Sequence, residues 1–553
     1  MPQQLREFIV DADAGTGTAA DTAAWNGMAD ALRTRFQLAA GGSRRLRRVW
    51  LDTFDWRLYR AGNTLEYISG PGTHELALAM PDGERIAAAV PRMSWPRMPG
   101  AVPAGLVGER VAPIAGIRAL LPVAAAASTR RNLRVLDGEG KIVVRVTVDY
   151  GSVGGRAGSA FPPRLMVTPV RGYDAQAGRV ERLLAGLPGV TAADGSVFEL
   201  ALAAAGRRAG DYSSQVDVAL TPAMTAGAAV AAVLVRLLDI AEANVDGVIR
   251  DIDTEFLHDL RVAVRRTRAA LKLAGDALPA DLAARFAPEF RWLGQLTTPT
   301  RDLDVHLLGF AETAAGLVTA ASADLAPLHD SLVRYRVAEH RRLVRGLRSA
   351  RFAGLSRDWR AALADKPPSR RPASGRGGPA QTPIADFAAA RIQRAYRRLA
   401  KTGSAITATS PEEDLHTVRK RGKELRYLLE FFAALHDPET HRTAVRELKQ
   451  LQDCLGEIQD GHVQREMIRA LAARMVAERA APAATLLAMG ELAAQLDAAA
   501  RHARDDFGKR FAQFTSSRNA RRIASLSKTA TASRYMPRTT SGPAWGRYVA
   551  LLK

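Results

Sequence analysis

A multidomain α+β chain is predicted, with an antiparallel, barrel-like β domain at the N-terminus followed by an all-α region that is a duplicated helical bundle. Three observations predict it. Short alternating or β-branched segments, separated by Gly, Pro and Asp turn signals, occupy roughly the first two hundred residues. A His-led basic motif then occurs twice in the second half, each time at spacings that return to one face of an α-helix. Between the two copies lies a stretch rich in Pro, Gly, Ser and Arg, which reads as a connection and not as a core element. These observations place the β domain at residues 1–205, a linker at 206–225 and the duplicated helical region at 226–515, with a flexible insert at about 366–383 and a basic, disordered tail at 516–553.

In the β domain, Arg47 to Leu51, Leu65 to Ile68, His74 to Ala79 and Lys141 to Asp149 read as strands. Gly70-Pro71-Gly72, Asp82-Gly83 and Asp137-Gly138-Glu139-Gly140 mark turns between them. Further on, Val218 to Val235 carries no charge, but Pro222, Gly227 and the adjoining Arg236 make it a poor membrane span, and none is expected.

The helical region opens on Leu257-His258-Asp259-Leu260-Arg261-Val262-Ala263-Val264-Arg265-Arg266-Thr267-Arg268. It returns as Leu415-His416-Thr417-Val418-Arg419-Lys420-Arg421-Gly422-Lys423-Glu424-Leu425-Arg426. In each copy the His is followed by basic residues at +3, +7 and +10, giving two stripes, His258/Arg261/Arg265/Arg268 and His416/Arg419/Lys423/Arg426. Arg301-Asp302-Leu303-Asp304-Val305 and Gln459-Asp460-Gly461-His462-Val463 repeat at the same offset, which argues for a duplicated helical unit. Like charges on one helix face repel by a few tenths of a kcal/mol per exposed pair, so the stripes call for an anion opposite them. Arg presents a planar fork to phosphate oxygens and Lys a compact charge, which favours phosphate over carboxylate as the partner. The bland reading is a solvated face paired with nearby acids.

Each His lies among basic neighbours, without a second ligand repeated at +4, so a metal role ranks below phosphate hydrogen bonding and below packing. Asp302, Asp304 and Asp460 are read as groups that orient Arg residues, ahead of catalytic carboxylates. No Walker loop, nucleophile elbow or zinc motif appears, and no cofactor is expected.

Across 553 residues, hydrophobic residues make up 47% and the formal charge is +21. Residues 226–515 contribute only +8 of this, so any anion affinity there depends on where the charges sit. Residues 516–553 carry eight basic residues and no acid, and could hold any polyanion loosely. Cys454 is the single cysteine, which excludes an internal disulfide and points to a small apolar core residue in a reducing, cytoplasmic setting. The start of the sequence shows no signal-peptide pattern.

The doubled motif resembles the paired signatures of the CHAD domain, the conserved histidine α-helical domain. So do Leu293-Gly294 and the segments Leu448 to Asp453 and Leu455 to Asp460. This resemblance runs from about residue 226 to 510. It implies two helical bundles related by a pseudo-two-fold axis, with a basic groove between them that binds inorganic polyphosphate. By motif position the implied contacts are His258, Arg261, Arg265, Arg268, His416, Arg419, Lys423 and Arg426, with Arg266 and Lys420 as weaker candidates off the main stripe. It also implies a cytoplasmic protein associated with polyphosphate granules and granule proteins, with nucleic acid a less favoured partner.

Leu51-Asp52-Thr53-Phe54-Asp55, Gly62-Asn63-Thr64-Leu65, and Arg130-Arg131 leading into Leu133 to Asp137 and Val144 to Asp149 resemble the CYTH domain. That family implies a tunnel-like barrel hydrolysing triphosphates with a divalent metal. The sequence departs from it, because only Glu7 stands where the first strand would carry Glu-x-Glu-x-Lys, and Glu66-Tyr67-Ile68 replaces expected Arg positions. The domain is therefore read as a degenerate CYTH-like module with no metal site. Metal-dependent triphosphatase activity and nonspecific nucleic-acid binding stand as alternatives, and Arg130, Arg131 and Arg134 as anion contacts or as an ordinary strand end.

Overall fold

The computed structural model describes residues 6–10, 18–154, 158–364 and 378–526. The chain divides between Ser213 and Ser214 into two compact units, inside the segment read as a linker.

In the N-terminal unit the elements run β1 (Arg6–Val10), α1 (Thr18–Arg33), β2 (Gln37–Asp52), α2 (Arg57–Arg60), β3 (Thr64–Gly70), β4 (Thr73–Ala79), β5 (Arg85–Ala89) and α3 (Leu106–Ala115). They continue with β6 (Leu121–Leu136), β7 (Ile142–Val153), β8 (Ser159–Pro169), α4 (Asp174–Ala185), β9 (Val190–Ala192) and α5 (Val197–Ala204). All strand pairings are antiparallel, in the order β5-β4-β3-β2-β6-β7-β8-β1-β9. Among the described residues the edge strands β5 and β9 do not pair with each other, so the sheet is open and not a closed barrel. The three turn signals fall between β3 and β4, β4 and β5, and β6 and β7. A register shift follows Asp149, and Gly151 stands there because a Cβ would lie 2.0 Å from the Ala127 carbonyl oxygen.

Alternation divides the sheet into two different faces. One is apolar: Val49, Leu51, Leu65, Tyr67, Leu76 and Leu78 pack on Val107 and Val111 of α3. The same face continues through Leu133, Val135, Val144, Val146, Leu165 and Val167 beneath α1 and α4. The other face carries buried charge, with Arg48, Glu66, Asp149 and Arg164 all inside.

The C-terminal unit is helical: α6 (Ala226–Ile249), α7 (Thr254–Ala274), α8 (Ala280–Leu308), α9 (Phe310–Ala315), α10 (Ala326–Leu347), α11 (Ala350–Ala364), α12 (Ile384–Ser404), α13 (Glu412–Phe431), α14 (Pro438–Ala477), α15 (Ala483–Phe514) and α16 (Ser517–Leu526). The repeat is visible in the packing, since α7 lies between α6 and α8 as α13 lies between α12 and α14. Helix α7 is started by Asp253, whose carboxylate accepts from the Glu255 and Phe256 amides. Its buried stripe, Leu257, Leu260, Val264 and Leu271, leaves the cationic stripe on the opposite side. Gly247 lets α6 approach α7 closely, because a Cβ there would meet the Phe256 ring at 2.1 Å. In α13, Leu415, Val418, Leu425 and Leu428 form the matching buried stripe, and Glu412, Glu413 and Asp414 favour the helix N-terminus.

Two boundaries differ from the sequence reading. Ser517–Leu526, assigned to the tail, is a helix that buries Asn519, Ile523 and Leu526. Its polar composition hides an amphipathic register that packs on α12 and α14. The rest of the tail, and residues 366–377 of the insert, lie outside the described residues; Pro379–Gln381 forms a 3₁₀ turn before α12. Cys454 is buried in α14, its thiol donates to the Ala503 carbonyl at 3.2 Å, and burial pushes its pKa up to about 11. Among the described residues no helix is long and apolar enough to cross a membrane.

Candidate functional site

The duplicated helices bring their basic residues to one groove of about 790 Å³. From α7 it is lined by His258, Arg265 and Arg266, and from α13 by Arg419, Lys423, Arg426 and Tyr427. The third wall is α14, which contributes Gln452, Asp453, Gly456, Glu457 and Asp460. Six of the ten residues proposed from sequence therefore meet, and the groove joins both repeats.

The acids in and around the groove sort these cations. Arg419 donates to Asp460 Oδ1 at 3.0 Å and to the Gly456 carbonyl at 3.0 Å. Glu430 joins the repeats: Arg266 of α7 reaches its Oε2 at 2.7 Å and Arg426 its Oε1 at 2.6 Å. By contrast, Arg265 and Lys423 make no ion pair or hydrogen bond through their side chains among the described residues. One comes from each repeat, and they are close enough to perturb each other. Burial first, then the like charges of Arg419, Arg265 and Arg426, lower the Lys423 ammonium to about 8.

The remaining predicted residues lie elsewhere. Arg261 turns to α8, hydrogen-bonding Thr298 and standing 3.8 Å from Asp302. Burial, aided by neighbouring Arg265, Arg301 and Arg268, draws its pKa below the usual value. Arg268 rests over Gly294, where a Cβ would come within 3.0 Å of Nη1. His416 hydrogen-bonds Gln459 and lines a separate 210 Å³ pocket with Glu412 and His462, so the repeats differ at their leading His. Lys420 is exposed and does not line the groove. Arg261–Asp302 and Arg419–Asp460 are the same pair in the two copies, while Asp304 holds Arg336 at 2.8 Å.

Sequence reading did not single out Glu430 or Gln452. Glu430 lies four residues after Arg426, an i,i+4 signal, but its bond to Arg266 depends on how α7 and α13 pack. Gln452 accepts from Arg426 at 3.4 Å, and its buried Nε2 has no partner among the described residues. That leaves a neutral donor in the groove wall.

On the charged face of the N-terminal sheet, each carboxylate meets an Arg. Glu7 lies 3.1 Å from Arg164, Glu66 pairs with Arg48, and Asp149 lies 2.7 Å from Arg48 and 3.1 Å from Arg130. Asp149 and Arg164 are each 1% exposed. Carboxylates committed to guanidinium groups do not suit a hard cation, which needs their oxygens and is repelled by the arginines. Among the described residues no group of three or more His, Cys, Asp or Glu side chains is placed to hold a metal ion. Arg131 points to the other face and lies over the Trp25 and Tyr150 rings, and Arg134 donates to the Ala40 carbonyl. In the segment resembling CYTH, Asp52 has a structural task, accepting from the Thr53, Leu58 and Tyr59 amides.

A duplicated helical bundle, with a groove between its copies lined by both basic and acidic side chains, defines the class of the C-terminal unit. Residues 232–469 match the CHAD domain family, so the helical unit carries a CHAD domain. Two uncharacterized proteins from strains of Mycobacterium tuberculosis are 30% identical over 246 residues, covering 42% of this chain and 44% of theirs. The chain thus matches less than half the length of these curated relatives. Among solved structures, a CHAD domain from the plant Ricinus communis is 26% identical and covers 53% of this chain and 96% of its own, with a TM-score of 0.43. PptA from Streptomyces chartreusis is 20% identical, covering 52% and 99%, with a TM-score of 0.38. A Hippeastrum protein described as a putative adenylyl cyclase with dominant triphosphatase activity is 12% identical, covering 37% and 96%, with a TM-score of 0.26. The N-terminal sheet is antiparallel, open and nine-stranded among the described residues.

Proposed function

We propose that the helical unit binds inorganic polyphosphate in the groove between α7 and α13, and that this docks the protein on polyphosphate granules in the cytoplasm. The observation that carries the reading is the pair Arg265 and Lys423. Lys423, half-buried, and Arg265, exposed, come from different repeats and lie near each other with no direct ion pair or hydrogen bond among the described residues, which makes them a site for a bound anion. Arg419, Arg426 and Arg266, already positioned by Asp460 and Glu430, would add contacts along the chain. His258 and the Gln452 amide would donate further hydrogen bonds. Arg261, Arg268, His416 and Lys420 lie outside the groove lining, and the reading gives them supporting roles. Many weak contacts along one polymer give avidity and marked salt sensitivity.

The test is binding of long-chain polyphosphate to the full chain at near-physiological salt, with RNA of equal charge as competitor. Arg265→Ala with Lys423→Ala is expected to weaken binding by about ten-fold or more, roughly one lost charge-assisted contact, without unfolding the protein. Unchanged affinity in the folded double variant refutes the groove. Equal competition by RNA points to general polyanion binding instead.

A further inference from the structure

We propose a second binding site in the N-terminal unit, for a planar heteroaromatic ring bearing a phosphate, of mononucleotide size. It is a cavity of about 560 Å³ on the apolar side of the sheet, at the end nearest the β3–β4 turn. It is separate from the paired charges of the other face, because Arg47 lines it while its neighbour Arg48 points through the sheet to Glu66 and Asp149.

Three aromatic side chains form its wall. The Tyr67 and His74 rings are parallel at 5.9 Å, and Trp95 stands edge-on to Tyr67 at 5.7 Å. The Tyr67 hydroxyl accepts from the Met93 amide at 3.1 Å and lies 2.9 Å from His74 Nδ1. The Trp95 indole N–H is buried and has no hydrogen-bond partner among the described residues. A donor left unsatisfied beside this aromatic wall would be paired by a ligand ring that carries acceptor atoms and enters far enough to reach it.

The charge at this cavity is one-sided. Arg47 and Arg92 line it, neither makes an ion pair among the described residues, and no Asp or Glu is part of the lining. This contrasts with the groove of the helical unit, where acids face the cations. Two uncommitted guanidinium forks beside ring faces suit a phosphate attached to a planar base. The volume lies within the range of small-ligand sites.

The inference does not rest on polyphosphate binding, and its test separates the two. Adenosine and guanosine monophosphate are titrated into the full chain, followed by saturation transfer to the base protons, with adenosine and ribose 5-phosphate as half-ligands. Transfer to the base protons is expected in the wild type, with each half-ligand at least ten-fold weaker. Arg92→Ala should weaken the nucleotide about ten-fold, and Trp95→Phe, which keeps a ring but removes the N–H, about three-fold or more. The Arg265→Ala and Lys423→Ala double variant should bind nucleotide as the wild type does. No transfer at millimolar nucleotide, equal affinity for ribose 5-phosphate, unchanged affinity in Arg92→Ala, or loss in the groove variant each overturns the site.

Discussion

Binding at the groove should depend on pH through Lys423. In the free protein its ammonium titrates near 8, below the ordinary 10.5, because burial and then Arg419, Arg265 and Arg426 disfavour its charge. A bound polyanion reverses that disfavour and moves the value back toward 10.5. The complex therefore holds a proton between about pH 8 and 10.5 that the free protein has released, and affinity falls as pH rises through this window. Full restoration raises Kd about ten-fold between pH 7 and pH 9, or about 1.4 kcal/mol. The assay is polyphosphate affinity across that range by titration calorimetry, in two buffers of different ionisation enthalpy, so that proton uptake is measured directly. Lys423→Arg keeps a cation that does not titrate there, and should flatten the profile. A flat wild-type profile, or the same slope in Lys423→Arg, refutes the reasoning.

Three other outcomes are expected. Without ligand, Lys423→Met should raise unfolding stability by about 1–2 kcal/mol in urea at pH 7, because it removes a charge held against like charges; lower stability would count against that repulsion. Glu430→Gln releases Arg266 and Arg426 together, so it should destabilise the free protein by about 1–3 kcal/mol while tightening polyphosphate binding several-fold; weaker binding would mean that Glu430 positions the cations more than it competes for them. Burial, followed by neighbouring His441, lowers His436 to about 4 from 6.5. The unfolded chain then takes up the proton first, so stability present above pH 6.5 is lost as pH falls toward 4, by roughly 3 kcal/mol, and urea titrations of His436→Phe should show a smaller loss.

The helical half was legible because its signal is local. Spacings of three and four residues place Arg265 and Arg268 away from Leu260 and Leu271 whatever α7 packs against, and the second copy repeats the pattern in α13. Which of those residues face the groove depends on neighbouring helices, and that is not local. His416 is turned to Gln459 by α14, Arg261 to Thr298 by α8, and Glu430 gains its second Arg only where α7 meets α13. In the sheet, alternation marked several strands. The Ala-rich helix α1 and the short α4 and α5 that cover it carry few distinctive residues and were not read. Nor does sequence reveal that Glu66 and Asp149 are neutralised by Arg48, a residue distant in the chain from Asp149 and brought beside both by strand pairing.

Strand β2 carries Arg44-Arg45-Leu46-Arg47-Arg48, which in sequence looks like one basic patch. The two-residue period of a strand splits it, sending Arg48 into a buried network and Arg47 to a solvent-facing cavity. A single-residue insertion or deletion in this run would break the phase of the strand, and either turns Arg48 away from Glu66 and Asp149 or turns Val49 and Leu51 off the apolar face. Length changes in β2 should therefore be tolerated in evolution only in steps of two, or when a bulge absorbs the odd residue, even where every individual arginine is replaceable.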